Sequence, residues 1–558
     1  MRFLLKVKRY IKLYGFTSLL YLFIEKVTFF KRYNYFNNLD NKDENISFLI
    51  ENSRFQNNAL KYSIVVPLFN TNLFFLEKMI ESVLNQTYSN FELCLHNGGS
   101  EKKEIEEIVK KYSKIDSRIK YKSSIEKLGI STNTNEALKM ATGDYIGLLD
   151  HDDLLHQNAL EECYKVICNK APDVIYTDED KITKSGKRRL KPHRKSDWAP
   201  DTLMSYNYVC HFLVFNRKLL NDIEGFNSNF DGSQDFDFIL RLSQITNNIY
   251  HIPKILYHWR ISETSTSGDI GIKQYAITAG QKSLEAYYKK INRDVIVNQS
   301  LLPGVFVRGF KNTEWSKKKI LIVVSGEFEN SQELIKYYNQ LNLERVKYAK
   351  CIILNENQEI HEFKENCEVI LKNKFNFSNQ VNSILLENEF ELCVFINYNT
   401  EILVSDWLEK LILEAEFNHV GAVAPKIIIN RKVESFGLAI TKKKIVDIHN
   451  GINRNFNGYF LRNQISQNFT AASPHILLVK KDVFDKIGYL DEALKTPMAL
   501  IEYCLRINSK GKFIKMIPLE LAKCNKKKWL SNYEENYILS KYDSFLEEYR
   551  DRFYPIDK

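Results

Sequence analysis

From residue 61 onward the chain alternates between short β-prone runs and amphipathic helical stretches, and this rhythm restricts its fold more than any other feature. "YSIVVPLF" (62–69) is an unbroken apolar run, the pattern of a strand buried on both faces. "LEKMIESVLNQ" (76–86) then sets Leu76, Met79, Ile80, Val83 and Leu84 at helical spacing. "FELCLHN" (91–97), "IKYKS" (119–123), "YIGLLD" (145–150) and "DVIYTDED" (173–180) read as further strands, separated by helical stretches at 104–112, 133–141 and 158–168. Such alternation predicts an α/β fold, a mostly parallel sheet with helices on both faces. Ligands of these sheets bind beyond the carboxyl ends of the strands, which puts Asn70, Asn97, Asp150–Asp153 and Asp178–Asp180 along one edge. No GxGxxG or GxxxxGK[ST] stands at a strand-to-helix turn, so neither a dinucleotide fold nor a P-loop is supported.

After about residue 312 the alternation restarts with "KKILIVVSGE" (318–327), "SQELIKYYNQL" (331–341) and "AKCIILNEN" (349–357). "FSNQVNSILLEN" (377–388) and "ELCVFINYNTEI" (391–402) repeat the order of "NTNEALKMA" and "DYIGLLDHDDLL". The second half therefore reads as a diverged copy of the first. The expected organisation is a leader over 1–58, α/β domains over 59–310 and 311–528, and a charged, aromatic tail over 529–558.

The strongest chemical signal is "GLLDHDDLL" (147–155), where an apolar run ends in Asp150, Asp152 and Asp153. Carboxylates this close repel one another. Strand alternation would point Asp150 and Asp152 to one side, where two hard oxygen ligands can hold Mg²⁺ or Mn²⁺ together with phosphate oxygens. A solvated acidic turn is the alternative. "GSQDFDFILRL" (232–242) carries Asp235 and Asp237 ahead of an apolar helical run, as helix-capping acids or as a general base facing the cleft. "YHWRISETSTS" (257–267) joins His258, Trp259 and Arg260 to a hydroxyl-rich loop, a combination suited to a phosphate or a metal.

Net charge is +10, and it is unevenly placed. Residues 1–36 hold eight Lys or Arg against one acid, Glu25. Their longest uncharged run, 13–24, is shorter than the roughly 20 apolar residues a bilayer span needs. The segment reads as basic and amphipathic, fit for peripheral contact with an anionic membrane or for packing as a helix on the next domain. The remainder is only mildly basic and carries no nucleic-acid module, so nucleic acid is not an expected partner. Nine scattered cysteines without a CxxC argue against a disulfide framework or a cysteine zinc site, and for a reducing cytosol.

Residues about 60–305 resemble a family 2 glycosyltransferase of the GT-A fold. The resemblance lies in "SIVVPLFN", "ESVLNQTYSNFELCL", "LGISTNTNEALKMATGDYIGLLDHDDLL", "DVIYTDEDKI", "DWAPDTLMSYNYVCHFLVF", "GSQDFDFILRL" and "ILYHWR", in this order. It is strongest toward bacterial enzymes that build O-antigen, capsule and rhamnan. It implies two GT-A-like, Rossmann-related domains in tandem behind a helical leader. It also implies an inverting transfer from a nucleotide-sugar donor to a glycan or lipid-linked glycan acceptor, in the cytoplasm or on the inner face of the cytoplasmic membrane. On this likeness Asp150, Asp152 and His258 are the candidate ligands of Mn²⁺ or Mg²⁺. Asp235 is the base with Asp237 in support. Pro67, Asn70, Asn97 and Arg260 join the two metal-site aspartates at the nucleotide-sugar, and Trp198, His211 and Glu179 lie on the acceptor side. Packing in the core is the other reading of Trp198. One departure stands out: the family's D-D-G-S reads Asn97-Gly98-Gly99-Ser100, and Asn97 offers an amide oxygen but no charge.

Residues about 318–525 resemble the family too, through "VGAVAPKIII", "HILLVKKDVFDKIGYLDE" and "IEYCLRI". There the D-x-D position is Asn397-Tyr398-Asn399, Ala499 and Leu500 fill the place of the base, and "LELAKCNK" lacks the histidine. The resemblance thus implies a catalytic first domain and a degenerate second one. A non-catalytic glycan-binding or scaffold protein is the rival expectation.

Overall fold

A computed structural model of the chain describes residues 60–261, 270–310, 314–326, 328–346, 348–355, 367–371, 376–524, 531–547 and 550–554. The basic leader and most of the "ISETSTS" loop lie outside the described residues. The chain divides into two compact units, residues 1–194 with 209–279, and residues 195–208 with 280–558.

The first unit is built on a nine-stranded sheet. Its strands are β1 (Tyr62–Leu68), β2 (Phe91–Asn97), β3 (Ile119–Ser123), β4 (Tyr145–Leu148), β5 (Leu154–Leu155), β6 (Val174–Ile182), β7 (Arg189–His193), β8 (Leu213–Asn216) and β9 (Ile249–Arg260). Their order is β3-β2-β1-β4-β8-β6-β9-β5, with β7 added on β6. The β3-β2-β1-β4 run and the β6–β9 pair are parallel, whereas β8 enters antiparallel between β4 and β6. Every residue of β1 and β2 is buried, as the unbroken apolar runs predict. Helices Leu73–Leu84 and Ala159–Lys170 set Leu76, Met79, Ile80, Val83, Leu160 and Cys163 into the same core as Ile64, Val66, Leu93 and Leu95. Pro67 sits in a central strand without breaking it. Val65 turns its carbonyl to Leu149 N–H, so Pro67 faces the same side, where β4 has already ended and no donor is required.

The second unit repeats the design. A hairpin of β10 (Val295–Gln299) and β11 (Phe306–Phe310) precedes β12 (Lys319–Gly326), β13 (Tyr348–Asn355), β14 (Cys367–Leu371), β15 (Leu392–Asn397) and β16 (Thr400–Ile402). β17 (Val420–Ile429), β18 (Lys432–Ser435), β19 (Leu438–Thr441), β20 (Lys444–Asp447), β21 (Gln467–Phe469), β22 (Ile476–Lys480) and β23 (Phe513–Cys524) follow. The sheet order β14-β13-β12-β15-β22-β17-β23-β16 matches that of the first sheet strand for strand, with β18 on β17 in the place of β7 on β6. Two α/β domains of one topology therefore stand in tandem, as the repeated alternation predicts. The tail joins the second unit: helix Asn532–Lys541 places Glu534 on the amides of Lys495 and Thr496, and Asp551 is buried on Ile440 N and Thr470 Oγ1.

Two expectations shift in detail. The acidic stretch does not continue β4 as a strand; it turns, with Asp153 N–H bonded to the carbonyl of Asp150 at 3.2 Å. Asp178–Asp180 lie within β6 and not beyond its end, because β6 keeps pairing with β7 and β9 through Ile182. Cys94, Cys163, Cys168, Cys393 and Cys504 are free thiols.

Candidate active site

The turn after β4 presents two carboxylates and buries a third. Asp150 is 53% exposed. Asp152 is half-buried, and Asp153 is fully buried, taking hydrogen bonds from Tyr257 Oη at 2.6 Å and Arg260 N at 2.7 Å. Desolvation raises the Asp152 carboxyl above its ordinary range, and repulsion from Asp150 adds to the rise. Burial lifts Asp153 further, with both neighbouring carboxylates contributing.

His211, just before β8, faces this turn. Its Nε2 is 3.5 Å from Asp150 Oδ2, its Nδ1 is 3.3 Å from Glu179 Oε2, and its backbone N–H also donates to Glu179 Oε2. The ring stacks on Tyr257 at 4.8 Å and lies beside Trp259. Desolvation disfavours its cation, but the two carboxylates override this and hold the imidazole well above its usual value. The same contact overrides desolvation at Asp150 and keeps that carboxyl low. One carboxylate of the turn is therefore held charged while its neighbours are pushed toward the acid form.

β6 lines the edge with three acids, each held by a basic partner. Asp178 meets His251 Nε2 at 2.8 Å, Glu179 meets His211, and Asp180 meets His258 Nδ1 at 2.7 Å and Arg189 Nε at 2.5 Å. The parallel register of β6 on β9 sets Asp180 opposite His258, so the backbone itself delivers this pair.

Asp235 enters from helix Gln234–Ile245. Gly232, at φ +97°, turns the chain beneath Tyr275; a Cβ there would lie 2.2 Å from the Tyr275 ring, so only glycine fits. The helix then starts with Asp235 and Asp237 in its first turn. Desolvation raises Asp235, His211 lowers it and Asp150 raises it, which ties Asp235 electrically to the acidic turn. Asp237 points elsewhere. It is buried and bonded to Arg241 at 2.7 and 2.9 Å, and Arg241 also reaches Gly225 O, so the pair fixes the helix against the preceding loop.

The other candidates divide. Asn70 Oδ1 accepts from Glu101 N, and Asn97 Oδ1 already accepts both Ser100 N at 3.1 Å and Ser100 Oγ at 2.5 Å. The two lone pairs of that amide oxygen are thus occupied inside the Asn97–Ser100 loop. Gly99 (φ +77°) passes over Glu126 O, where a Cβ would come within 2.4 Å. Arg260 is buried, its Nε on Asp152 O and its Nη1 on Lys184 O, both at 2.7 Å. Its Nη2 has no hydrogen-bond partner among the described residues. Trp198 lies in Lys195–Tyr208, a segment of the second unit, and is not among the side chains gathered here.

The donor set suits a hard divalent ion in part. Asp150 and Asp152 offer carboxylate oxygens whose mutual repulsion a cation relieves, and Asp180 on Nδ1 of His258 is the kind of carboxylate backing that orients a ligating imidazole. Among the described residues, no three His, Cys, Asp or Glu side chains converge on a ready-made ion site. Oxygens of a bound phosphate would have to complete the shell.

The second sheet supplies an internal comparison. Tyr62 pairs with Tyr145 and Ile320 with Leu392, which aligns Asp150 and Asp152 with Asn397 and Asn399. The β8 and β22 registers align His211 with His475, and Asp178, Glu179 and Asp180 with Lys426, Ile427 and Ile428. The β9 and β23 registers align Tyr257 and His258 with Ala522 and Lys523. Every acid of the edge is gone. His475, buried against Ser473 Oγ with no carboxylate, is pushed down to about 4, the opposite of His211.

This contrast carries a pH prediction. The unfolded chain protonates His475 near pH 6.5, but the folded state resists until about pH 4. The unfolded state thus binds more protons in that window, and stability falls as pH drops from about 6.5 toward 4, by an amount on the order of 3 kcal/mol. His475→Gln should make this acid limb shallower in urea unfolding of the full chain, while His449, pushed down to about 3 by burial, keeps part of it. His211, held high, contributes stability that is complete below pH 6.5 and is lost as pH rises through its folded value, so His211→Gln should leave the acid limb in place.

Residues 63–224 match the family model for glycosyl transferase family 2. The match covers less than a third of the chain and lies within the first half of the sequence. It is 30% identical to an uncharacterized protein, y4gI, of Sinorhizobium fredii over 82% of its own length and 52% of the relative. It is 26% identical to the O-antigen biosynthesis protein RfbC of Myxococcus xanthus, covering 80% of the chain and 36% of the relative. With a chondroitin synthase of Pasteurella multocida the identity is 25%, over 82% and 43%. The chain thus spans about half or less of the length of these relatives. Among solved structures, residues 1–349 of S. aureus TarS in complex with UDP share 17% identity at TM-score 0.32, over 41% of this chain and 71% of that fragment. A Pyrobaculum calidifontis mannosyltransferase with GDP-Man and Mn²⁺ shares 14% at TM-score 0.32, over 42% and 65%.

Proposed function

We propose that the first unit is an inverting, metal-dependent glycosyltransferase that moves a sugar from a nucleotide-sugar donor to a growing cell-surface glycan. The observation that carries the reading is the meeting of Asp150, Asp152, His211 and Asp235 at the edge of the first sheet, set against its disappearance from the second sheet of the same topology. A Mn²⁺ or Mg²⁺ ion on Asp150 and Asp152 would neutralise the donor diphosphate as the glycosidic bond breaks. Asp235 takes the proton of the acceptor hydroxyl while that oxygen attacks the anomeric carbon from the opposite side, giving inversion in one displacement. Its raised carboxyl makes it a better proton acceptor than an exposed aspartate. His211 holds Asp150 charged, and Glu179 fixes the His211 ring.

The relatives named for O-antigen biosynthesis and chondroitin synthesis support a polysaccharide as the acceptor, and the UDP and GDP-Man of the solved neighbours support a nucleotide-sugar donor. No helix among the described residues is long and apolar enough to cross a membrane, and the basic leader over 1–36 would supply peripheral contact with the inner face. The second unit, without the acids, serves acceptor binding or assembly.

The test is a nucleotide-sugar panel with Mn²⁺, scored by donor hydrolysis and thermal stabilisation. Ligand selective for the folded state raises the midpoint by mass action. Asp152→Ala should abolish turnover and the Mn²⁺-dependent part of the stabilisation, while Asn399→Ala at the aligned position leaves both unchanged. Full activity in Asp152→Ala refutes the mechanism. Silence with every donor favours the scaffold reading.

A further inference from the structure

We infer that Asp153, Tyr257 and Arg260 form a clamp that sets the Asp150–Asp152 turn, acting on the proposed metal site as positioning residues. The inference rests on the reading above for its function but on its own geometry for its existence.

The clamp closes on both ends of the turn. Tyr257 Oη accepts from Asp150 N at 3.3 Å and donates to Asp153 Oδ2 at 2.6 Å, so one hydroxyl ties the first residue of the turn to the last. The other oxygen of Asp153 accepts Arg260 N at 2.7 Å. The Arg260 guanidinium returns to the turn and takes the carbonyl of Asp152 at 2.7 Å, with its far side on Lys184 O and its face over Phe75 at 4.6 Å. Asp153 and Arg260 are 0% and 1% exposed, so these bonds are shielded from water and from competing partners. A turn fixed at Asp150 N, Asp152 O and Asp153 N leaves the Asp150 and Asp152 carboxylates outside the clamp, Asp150 meeting only His211 among the described residues. Arg260 is thereby a group that aims the ligands, which differs from a direct phosphate contact.

The second unit shows that the fold itself does not require this clamp. The registers align Asp153 with Thr400 and Tyr257 with Ala522. The aligned β16–β23 pairing still forms, and Tyr337 Oη holds the carbonyls of Asn397 and Thr400 from elsewhere. Clamp and carboxylate pair are absent together in one copy and present together in the other.

The experiment uses the full chain with Tyr257→Phe, Arg260→Met and Arg260→Lys. Amide hydrogen exchange over residues 149–155 reads the turn, and Mn²⁺ titration followed by electron paramagnetic resonance reads the site without turnover. Tyr257→Phe and Arg260→Met should speed exchange in the turn while β1 and β2 keep their protection, and should weaken Mn²⁺ binding about 10- to 100-fold. The Mn²⁺ KM should rise with kcat at saturating Mn²⁺ nearly unchanged, and Arg260→Lys should recover part of the loss. Unchanged exchange over the turn in folded Tyr257→Phe, which removes one hydroxyl only, overturns the clamp. Wild-type protein that binds no Mn²⁺ refutes the metal reading alone, and exchange still decides the clamp.

Discussion

Asp235→Asn is expected to remove nearly all sugar transfer while leaving Mn²⁺ and donor binding intact. The carboxamide keeps the shape of the side chain and its place in the first turn of the helix, but it cannot take a proton. General base catalysis by a placed side chain contributes about 10²–10⁴-fold, and the loss in kcat should fall in that range. Asp235 is electrically linked to His211 and Asp150, so replacing it also removes one charge from the cluster; the linkage is weaker than the direct His211 contacts to Asp150 and Glu179, which do not involve it. The pH profile supplies a second reading. Because burial raises the Asp235 carboxyl, wild-type activity should fall as pH drops through that raised value, and the fall should come at higher pH than for an exposed aspartate. Asp237→Asn separates base from structure. Asp237 is bonded to Arg241, so its variant should lower stability more than it lowers kcat. If Asp235→Asn keeps wild-type kcat with donor and acceptor saturating, another group is the base.

What the sequence revealed and what it hid follow from the range of the interactions. Strand–helix alternation is a local property, so the buried runs at 62–68 and 91–97 were legible, and so was the doubling of the fold. The difference among Asp150, Asp152 and Asp153 was not. All three are aspartates in one turn, and only Tyr257 and Arg260, more than a hundred residues later, decide that the third is buried. The β6 acids were placed past the strand end because acids are poor strand formers; His251, His258 and Arg189 make them tolerable inside it, and those partners become visible only through the β6–β9 and β6–β7 pairings. A signal was present in the three consecutive acids of "TDED" and the two histidines of "YHIPKILYHWR", but nothing in either stretch specifies the register. In the second copy the loss of Asp150 and Asp152 was readable at Asn397 and Asn399. The replacement of the whole β6 ladder by Lys426, Ile427 and Ile428 needed the sheet.

The same limit of range explains why Lys195–Tyr208 belongs to the second unit, and it yields the largest stability effect expected in this chain. Asp201 is fully buried 2.9 Å from Lys515 Nζ, which also contacts Glu414 and is itself 0% exposed. Arg308 from β11 reaches Glu414 at 3.1 Å, His419 reaches Asp201 at 3.1 Å, and Asn468 bonds both the carboxylate and the amide of Asp201. Two acids, Asp201 and Glu414, thus face Lys515 and Arg308 in a buried site. Burial opposes the charge on Asp201, and Lys515 with its neighbours overrides that penalty and holds the carboxyl well below its usual range. Lys515→Met keeps the length of the stem but leaves two buried acids facing one arginine. Breaking such a pair from one side costs about 3–5 kcal/mol, since the remaining charge is neither solvated nor matched. In the full chain this should lower the unfolding midpoint of the second unit by on the order of 10 °C. Adding Asp201→Leu should recover most of the loss, because Glu414 and Arg308 then pair alone, and replacing both members of a buried pair is often neutral. A Lys515→Met chain that unfolds within about 1 kcal/mol of wild type, the range of an exposed ion pair, would show that this network does not anchor the segment.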